Sequence, residues 1–370
     1  MILKKLKITS VFAVVMILTF TLAACDNGNG VVEEIESEPE IVEIEDSNLE
    51  TAVREEIDYE EGQINKELIK DISHLETNTG GIKSLKGLEY FESLEWLDIN
   101  QGDLGPNEIS DLSPLFELEK LYSLVIDDND GFNDLNQLKE LENLERFLIT
   151  HNHDIEDFSP LAELTNLTYL NLGNTGMNNE DLEYISDLTD LEELFFWDNN
   201  ITDISAIQNL INLRRLSYSH FGNQDRNEIK DISPLENLIN LERLFVQGAG
   251  NIQDFSPLAG LNILLTLNIS DTGFKDEDTE YLKDLENIEI LGFYNNYVTD
   301  ISFLENLNNL NLLSFADNEV EDISPLLNIE NWEEGDEIWM SGNNFDLDDQ
   351  NIKDIIEKLK EKGVTVNYQE

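Results

Sequence analysis

The amino-acid sequence predicts an α/β repeat solenoid, built from many copies of one short unit. The stretch from Ser159 to Gly176 first spaces its leucines by three residues, as in a helical or 3₁₀ turn, and then by two, as in a strand. Similar stretches begin at Ser113, Ser233 and Ser256. Since one unit has a single apolar edge and cannot bury it alone, we expect the units to stack and cover one another.

Eleven repeat starts follow one another along the chain at steps of 22 to 28 residues. They are Ile82, Ile109, Phe132, Ile155, Met177, Ile201, Ile229, Ile252, Phe274, Val298 and Val320. The modal phrase, ITDISPLxxLxNLxxLxLxxN, strongly resembles the leucine-rich repeat of internalins, a family of bacterial surface proteins. The resemblance implies a curved horseshoe with parallel short strands on its concave face, 3₁₀ or short helices on its convex face, and helical N-terminal and C-terminal caps.

An asparagine that bonds the backbone of the next coil follows the strand in internalin-type repeats, and the resemblance implies the same ladder here. The positions that fit are Asn129, Asn152, Asn199, Asn296, Asn318 and Asn343. Thr175 and Thr272 substitute for the asparagine. The predicted interruptions are Gly102, Phe221 and Ala249. The two longest steps contain extra residues at 100–108 and 220–228, which we expect to form loops near the binding side.

The chain opens with a basic and then apolar segment that is typical of an export signal. The segment ends in Leu22-Ala23-Ala24-Cys25, which resembles a bacterial lipobox and implies that residues 1–24 are a lipoprotein signal peptide and that Cys25 is lipidated. The alternative is a transmembrane helix, but the apolar run is shorter than the roughly 20 residues that cross a bilayer. Cys25 is the only cysteine, so no disulfide framework is expected.

The segment between the signal and the repeats divides in two. Residues 25–46 contain Gly, Glu and Pro without packable periodicity, and they are predicted to form an acidic disordered tether. Residues 47–81 are predicted to form a helical N-terminal cap, because apolar residues recur at four-residue steps from Leu49 onward. Ser47 is the candidate N-cap of that helix.

The repeats occupy residues 82–344, and residues 345–370 are predicted to form a C-terminal cap of one helix and one strand. One helical face carries Ile352, Ile355, Ile356 and Leu359. Gly363 is expected to end the helix, and a last strand follows at residues 364–368. A solenoid needs such caps, because its end coils would otherwise expose core leucines.

Acidic residues dominate the composition. There are 79 Asp and Glu residues against 22 Lys and Arg, which gives a formal net charge of −57. Nucleic-acid binding is excluded, because phosphate contacts need a basic surface, and contact with the membrane is expected only through the lipid anchor. Two explanations of the acidity stay open. One is adaptation to high salt, where screening tolerates a dense carboxylate surface. The other is a cationic partner or divalent ions.

Two short motifs carry possible metal ligands, but neither is complete. HNHD at residues 151–154 contains two of the four histidines, and no further cluster completes a zinc shell. DDNDG at residues 127–131 resembles part of a calcium loop, but its spacing would require a ligand at Ile126. No nucleophile elbow, phosphate-binding loop or dinucleotide fingerprint occurs. We therefore expect no enzymatic activity, no catalytic residues, no metal site and no cofactor.

The strands of such repeats point alternate residues outward, and the outward positions differ from the rest of the chain. Three of the six arginines fall in the first outward row, and aromatic side chains with arginine are typical of a protein-binding hot spot. The predicted binding residues on the concave face are Arg146, Tyr169, Phe195, Trp197, Arg215, Arg243, Phe245 and Tyr294. Phe195 and Trp197 are expected to be exposed, because Leu194 and Phe196 already fill the inward positions.

Together these features predict a lipid-anchored protein at the extracellular face of a Gram-positive bacterial cell membrane. We expect a monomer that binds an unknown extracellular protein ligand through the concave face, and the resemblance to internalins implies adhesion as one form of that role. Two alternatives stay open, a structural scaffold of the cell envelope and a carbohydrate-binding protein. The mixture of aromatic residues and arginine favours a protein ligand over a glycan.

Overall fold

A computed structural model describes residues 40–100, 104–219, 227–248 and 251–369. The expected signal peptide, Cys25 and most of the expected tether lie outside the described residues, as do Gly102, Phe221 and Ala249. Among the described residues, no helix has the length and apolar character that crossing a membrane requires.

Thirteen strands of the described chain form one sheet in sequence order, and each strand pairs in parallel with the next. The strands are β1 His74–Thr77, β2 Trp96–Ile99, β3 Ser123–Val125, β4 Arg146–Leu148, β5 Tyr169–Asn171, β6 Glu193–Phe195, β7 Arg215–Ser217, β8 Arg243–Phe245, β9 Thr266–Asn268, β10 Ile290–Gly292, β11 Leu312–Ser314, β12 Glu337–Trp339 and β13 Thr365–Asn367. Such short strands reflect the two inward side chains that each repeat supplies.

Short helical segments connect the strands. The 3₁₀ segments are Leu88–Tyr90, Ser113–Leu115, Leu135–Glu140, Ser159–Glu163, Glu183–Ile185, Ser205–Ile207, Ser233–Leu235, Ser256–Gly260, Asp276–Tyr281, Ser302–Asn306 and Ser324–Asn328. The α-helices are α1 Ser47–Glu56, α2 Lys66–Ile69, α3 Asn179–Leu182 and α4 Gln350–Glu361. Strands pack beside strands and helical segments beside helical segments, so the coils stack as the predicted solenoid requires.

The aspartate of the repeat phrase starts the 3₁₀ segments. Asp157 accepts the backbone N–H of Ser159 at 2.9 Å, and Asp231 accepts that of Ser233 at 2.8 Å. Hydrogen bonds from the side chain and backbone of Ser159 lower the pKa of Asp157, and those from the backbone and side chain of Ser233 lower the pKa of Asp231. Each bond satisfies an N–H that the first turn leaves without a partner, which explains why Asp stands two residues before the helical turn.

The core lies between the strands and the helical segments. Leu194 and Phe196 are fully buried, as their inward phase predicts. In the C-terminal half the core contains a phenylalanine stack, with the Phe293 ring centroid 6.2 Å from that of Phe274 and 5.8 Å from that of Phe315. Each coil therefore buries its apolar edge against its neighbours. Truncation of such a ring to alanine lowers the free energy of unfolding by about 3–5 kcal/mol.

The predicted asparagine ladder joins consecutive coils. The Asn199 side-chain oxygen accepts the backbone N–H of Met177 at 3.0 Å, and its Nδ2 donates to the carbonyls of Leu172 at 2.8 Å and Phe196 at 2.9 Å. One buried amide thus forms hydrogen bonds with backbone groups of two coils. These groups lie outside the helical segments and strands, so they need a side-chain partner.

The ladder continues through both insertions, contrary to the prediction that Gly102 and Phe221 interrupt it. Asn107 donates to Ile99 O at 3.3 Å and accepts the Ile82 N–H at 2.9 Å. Asn227 makes the equivalent bonds after the second insertion. The extra residues lie between the strand and the amide, so a fixed count forward from the strand misses it. The ladder asparagine is found by counting back two residues from the next repeat start, Ile109 or Ile229.

Part of the segment predicted as tether packs against the N-terminal cap. Val42 donates its backbone N–H to Ile64 O at 2.9 Å, and the side chains of Val42 and Ile44 are buried. Apolar Val42 and Ile44 alternate with acidic residues, so one side of this short segment can pack against the cap. The prediction of a tether rested on the average composition of residues 25–46, in which this short alternation does not show.

Two further details of this cap differ from expectation. Asp46, and not Ser47, is the N-cap of α1, since its Oδ1 accepts the N–H groups of Asn48 at 2.8 Å and Leu49 at 3.2 Å. The cap also contains β1, where helix was predicted. That strand has one buried leucine, Leu75, so it carries too little alternation for a pattern to show.

The C-terminal cap consists of α4 and β13. Buried residues of α4 are Ile352, Ile355, Ile356 and Leu359, the face that the sequence indicates. Gly363 follows with φ of 93°, and a Cβ atom there would lie 2.7 Å from Glu334 Cα. Glycine is therefore required by the turn and by the close approach of the last coil. Trp332 adds to the closure, donating its indole N–H to Leu326 O at 2.9 Å.

Candidate binding surface

We define the outer sheet face as the side chains at positions one, three and five counted from the start of each strand. The parallel register places Arg146 beside Tyr169, and Arg215 beside Arg243. The leucines at position two point inward and are buried. All eight predicted binding residues lie on this face, namely Arg146, Tyr169, Phe195, Trp197, Arg215, Arg243, Phe245 and Tyr294.

A row of stacked side chains crosses the outer sheet face from β2 to β7. The stacked row consists of Trp96, Arg146, Tyr169, Phe195 and Arg215. The guanidinium carbon of Arg146 lies 5.5 Å from the Trp96 ring centroid and 3.4 Å from that of Tyr169. The Tyr169 and Phe195 centroids are 5.2 Å apart, and Arg215 lies 4.9 Å from the Phe195 centroid. Because ring faces attract cations, these contacts hold the two arginines in defined positions.

Phe195 is more deeply buried than its outward position in the repeat predicts. Only 7% of the residue is exposed, although it lies outside the core cluster. Adjacent strands are about 4.8 Å apart, so the large side chains of Tyr169 and Arg215 cover it from both sides. The expectation that Phe195 is an exposed contact is therefore wrong. Its ring supports the half-buried members of the row instead.

Trp197 lies half-buried on the same face, against the backbone of the neighbouring coil. A Cβ atom at Gly173 would overlap its indole ring, so the glycine makes room for the ring. His151, one coil further back, meets the ring edge-on, with centroids 5.2 Å apart and an interplanar angle of 62°. The position of Trp197 is therefore set by two neighbours from earlier coils.

The HNHD motif occupies a turn. His151 has φ of 60°, at the position where the coils of Asp128 and Asp198 place an aspartate with a similar φ. Asn152 next to it is the ladder amide and donates to Ile126 O at 2.7 Å. In the part of the chain that the structure describes, no group of three or more His, Cys, Asp or Glu residues is placed to hold a metal ion.

A groove of about 840 Å³ opens beside the stacked row, across β7 to β11. Its floor carries Thr266, Asn268, Ser270, Gly292 and Ser314. The residues that rise around this floor are Arg215, Arg243, Phe245, Gln247, Glu289, Ile290, Tyr294 and Leu312. Small outward side chains on β9 and β10, flanked by large ones, produce the depression. Half of the predicted binding residues line it. Ile290 and Leu312 were not among them, although the repeat phase already places these two apolar residues outward.

Tyr294 closes one end of the groove. The Gln247 side-chain amide, two strands away, donates a hydrogen bond to its hydroxyl, and Gln247 Oε1 accepts from Asn268 Nδ2 at 3.2 Å. Burial raises the pKa of Tyr294 to about 12, and a hydrogen bond to Asp271 contributes to the rise. The phenol therefore stays protonated at neutral pH and keeps its bonds across the sheet.

The arginines around the groove differ in their ionic partners. Arg215 Nη1 lies 3.6 Å from Glu193 Oε2. Arg214 immediately precedes β7, at the edge of the sheet where the strands begin, and its Nη2 lies 2.6 Å from Glu242 Oε1. Arg243 is exposed, and within the described residues it has no ion pair and no side-chain hydrogen bond. Its positive charge is therefore uncompensated by contact, on a chain with an excess of carboxylates.

The N-terminal end of the outer sheet face is acidic. Burial raises the pKa of Asp98 to about 6, and the charges of Glu76 and Asp127 add to the rise. Within the described residues Asp98 Oδ1 has no hydrogen-bond partner. Burial also raises the pKa of Asp127, against the opposing hydrogen bond from Thr150. Asp127 belongs to the DDNDG motif, whereas Asp98 was not predicted, because its acidic neighbours Glu76 and Asp127 come from other coils.

Comparison with known proteins gives one clear result, at the level of structure. No protein-family model and no curated protein matches the sequence. An internalin of Listeria monocytogenes is similar over 91% of this chain and 94% of its own, with a TM-score of 0.69 and 27% identity. A leucine-rich-repeat protein of Leptospira interrogans is similar over 82% of this chain and 85% of its own, with a TM-score of 0.59 and 17% identity.

A third similar structure comes from a plant. It is the leucine-rich-repeat ectodomain of a membrane receptor kinase of Arabidopsis thaliana, solved in complex with Casparian strip integrity factor 2. The likeness covers 82% of this chain and 39% of that chain, with a TM-score of 0.52 and 16% identity. These likenesses confirm the predicted leucine-rich-repeat fold, and the first of them makes the chain internalin-like. At their low identities the other two show the fold alone.

Proposed function

We propose that this chain is a protein-binding module of the bacterial cell surface, which contacts its ligand through the outer sheet face. One observation carries the proposal. Three of the six arginines of a strongly acidic chain lie on that single face, among tyrosine, phenylalanine and tryptophan side chains. Arginine and large aromatic residues dominate the energetic centres of protein interfaces. The internalin-like fold supports the same class of function.

The arrangement on this face favours recognition over chemistry. The stacked row fixes Arg146 and Arg215 by contact with rings, so little side-chain freedom is lost when a partner binds. The groove beside it offers apolar walls and a polar floor. A non-enzymatic role is supported by the lack of a catalytic motif in the sequence.

Attachment to the membrane is the second part of the proposal. The Leu22–Cys25 box supports lipidation of Cys25 at the extracellular face of the membrane. A diacylglycerol supplies two acyl chains, which give stable anchoring where one chain is marginal. Metabolic labelling with a radioactive fatty acid tests it. Wild type should be labelled and Cys25→Ala should not, whereas equal labelling of both would refute the anchor.

A glycan ligand is the second candidate, and the groove gives it a specific observation. Gln247, Asn268 and Glu289 line the groove together with Tyr294. Amides and carboxylates beside an aromatic ring are groups that bind sugar hydroxyls. Arg243 and Phe245 in the same groove favour a protein, because arginine and large aromatic side chains are enriched at protein interfaces.

Site-specific photo-crosslinking in living cells tests the binding face. A photoreactive phenylalanine analogue replaces Ser314 or Trp339 on the outer sheet face. The matched controls carry it at Asp187 or Glu236 on the opposite side. Adducts of one defined protein mass at the outer positions, and none at the controls, would support the proposal. Adducts confined to the control positions, or no protein adduct at any position, would contradict it.

A further inference from the structure

We infer that the groove between β8 and β11 takes an extended segment of a partner protein in which a carboxylate stands next to a large apolar side chain. The inference rests on the proposed function and specifies the chemistry of its ligand. It follows from how charge and apolar surface are divided around the groove.

The apolar half of the groove is formed by β10 and β11. Ile290 is 36% exposed and Leu312 is half-buried beside it in the same row. Gly292 adds no side chain to the floor next to them, and a Cβ atom there would lie 3.2 Å from Asn268 Oδ1. The volume of about 840 Å³ is in the range of well-formed ligand sites. This half can bury a leucine, phenylalanine or tryptophan side chain of a partner.

The cationic half of the groove is Arg243. Its neighbours Arg214 and Arg215 have carboxylates at 2.6 Å and 3.6 Å, but Arg243 has none within the described residues. A guanidinium binds a carboxylate through two parallel hydrogen bonds, which is the strongest partner available to it. On a chain with 79 acidic residues, an arginine without a contacting carboxylate leaves this bond to a ligand.

Glu289 sets the direction of the ligand. It is exposed and lines the groove beside Ile290, so a carboxylate there would be repelled. The ligand's acidic group therefore lies toward β8 and its apolar group toward β10 and β11. Tyr294 and Gln247, which are joined by a hydrogen bond, line the groove beyond the ends of the strands.

Selection from a random peptide library displayed on phage tests this chemistry on the full chain. Selection is made at about 0.15 M salt, where the Debye length is about 8 Å and long-range repulsion is screened. We expect enrichment of peptides that join Asp or Glu to a large apolar residue. The net charge of −57 makes this outcome specific, because non-specific binding would enrich basic peptides instead.

Matched arginine variants locate the bound carboxylate. Arg243→Gln should weaken binding of a selected acidic peptide by about tenfold or more, since hydrogen bonds to charged groups are worth at least one decade in affinity. Arg214→Gln, one coil away and outside the groove, should change it less than about twofold. Replacing the acidic residue of the peptide by its amide should weaken binding to the wild-type protein by the same factor. The same replacement should hardly change binding to Arg243→Gln, which has already lost the guanidinium.

Three outcomes would overturn the inference: selection of basic peptides, selection of none, or equal affinity of wild type and Arg243→Gln. Each leaves the proposed function standing if outer-face crosslinks still form in cells. Loss of those crosslinks refutes the proposed function itself, so the two failures are distinguishable.

Discussion

The guanidinium carbon of Arg146 lies 3.4 Å from the centroid of the Tyr169 ring. This contact begins a chain of supports, because Tyr169 in turn covers Phe195 and Phe195 carries Arg215. Binding-face residues in this molecule therefore belong to two groups. Some are available to a partner, and others hold the first group in place.

Phe195 is predicted to act through stability. Phe195→Ala should lower the free energy of unfolding by about 2 kcal/mol or more, because only 7% of the residue is exposed and its removal leaves a cavity in the stacked row. Arg243→Ala, an exposed residue on the same face, should change it by less than about 0.5 kcal/mol. Urea denaturation of both variants measures the difference. Equal stability of the two would show that the stacked row does not support the fold.

Gly173 is predicted to determine the position of Trp197. Gly173→Ala should displace the indole ring and shift tryptophan fluorescence, because the new methyl group overlaps the ring. Gly260→Ala is the matched control, since nothing lies within 4 Å of its added Cβ atom. The control should leave the spectrum unchanged and the stability unchanged or higher, by up to about 1 kcal/mol. Identical spectra for both variants would refute the packing of Trp197 on Gly173.

The ladder amide after the second insertion is predicted to be structural. Asn227→Ala leaves the buried carbonyls of Phe196 and Tyr218 without these donors, and should cost about 1–3 kcal/mol. Asn240→Ala is the control, because its amide bond to Ile211 O is exposed to solvent. It should cost less than about 1 kcal/mol. Thermal unfolding compares them, and a smaller loss for Asn227→Ala than for the control would restore the interrupted ladder that the sequence suggested.

Asp98 is predicted to make stability depend on pH. Its folded pKa of about 6 lies above the ordinary value of 3.8, so the folded state binds its proton more tightly. The stability that this proton supplies is fully present below the unfolded pKa and is lost as pH rises through the folded pKa. Asp98→Asn should therefore stabilise the fold at neutral pH by roughly 1–2 kcal/mol, after allowance for solvent screening.

The control for this pH dependence is Asp157→Asn. The hydrogen bond from Ser159 lowers the pKa of Asp157, so its contribution is present above the unfolded pKa and is lost as pH falls. The two variants should change stability in opposite directions at neutral pH and converge on wild type in acid. Urea midpoints from about pH 3 to about pH 8 measure both. A stabilisation by Asp98→Asn that persists below its unfolded pKa would contradict the assignment.

The sequence predicted the fold and the membership of the outer sheet face because both follow from repeat phase. Counting from one leucine places Arg215 beside Arg243 without knowledge of any side-chain conformation. It did not predict the burial of Phe195, since that depends on rings from neighbouring coils approaching one another. The groove was missed for a related reason. It results from small residues such as Gly292, whereas the predicted binding residues are all large.

The central claim is that the outer sheet face binds a protein ligand. The most direct test measures how tightly the partner protein identified by photo-crosslinking binds to two variants of this face. Trp197→Ala and Arg243→Ala should each weaken binding by about tenfold or more, because hot-spot truncations cost about 2 kcal/mol and 1.4 kcal/mol is one decade. Arg214→Ala, on the strand-start edge of the sheet, should change it less than about twofold. If both outer-face variants bind as wild type does while folded, the ligand uses another surface and the account is wrong.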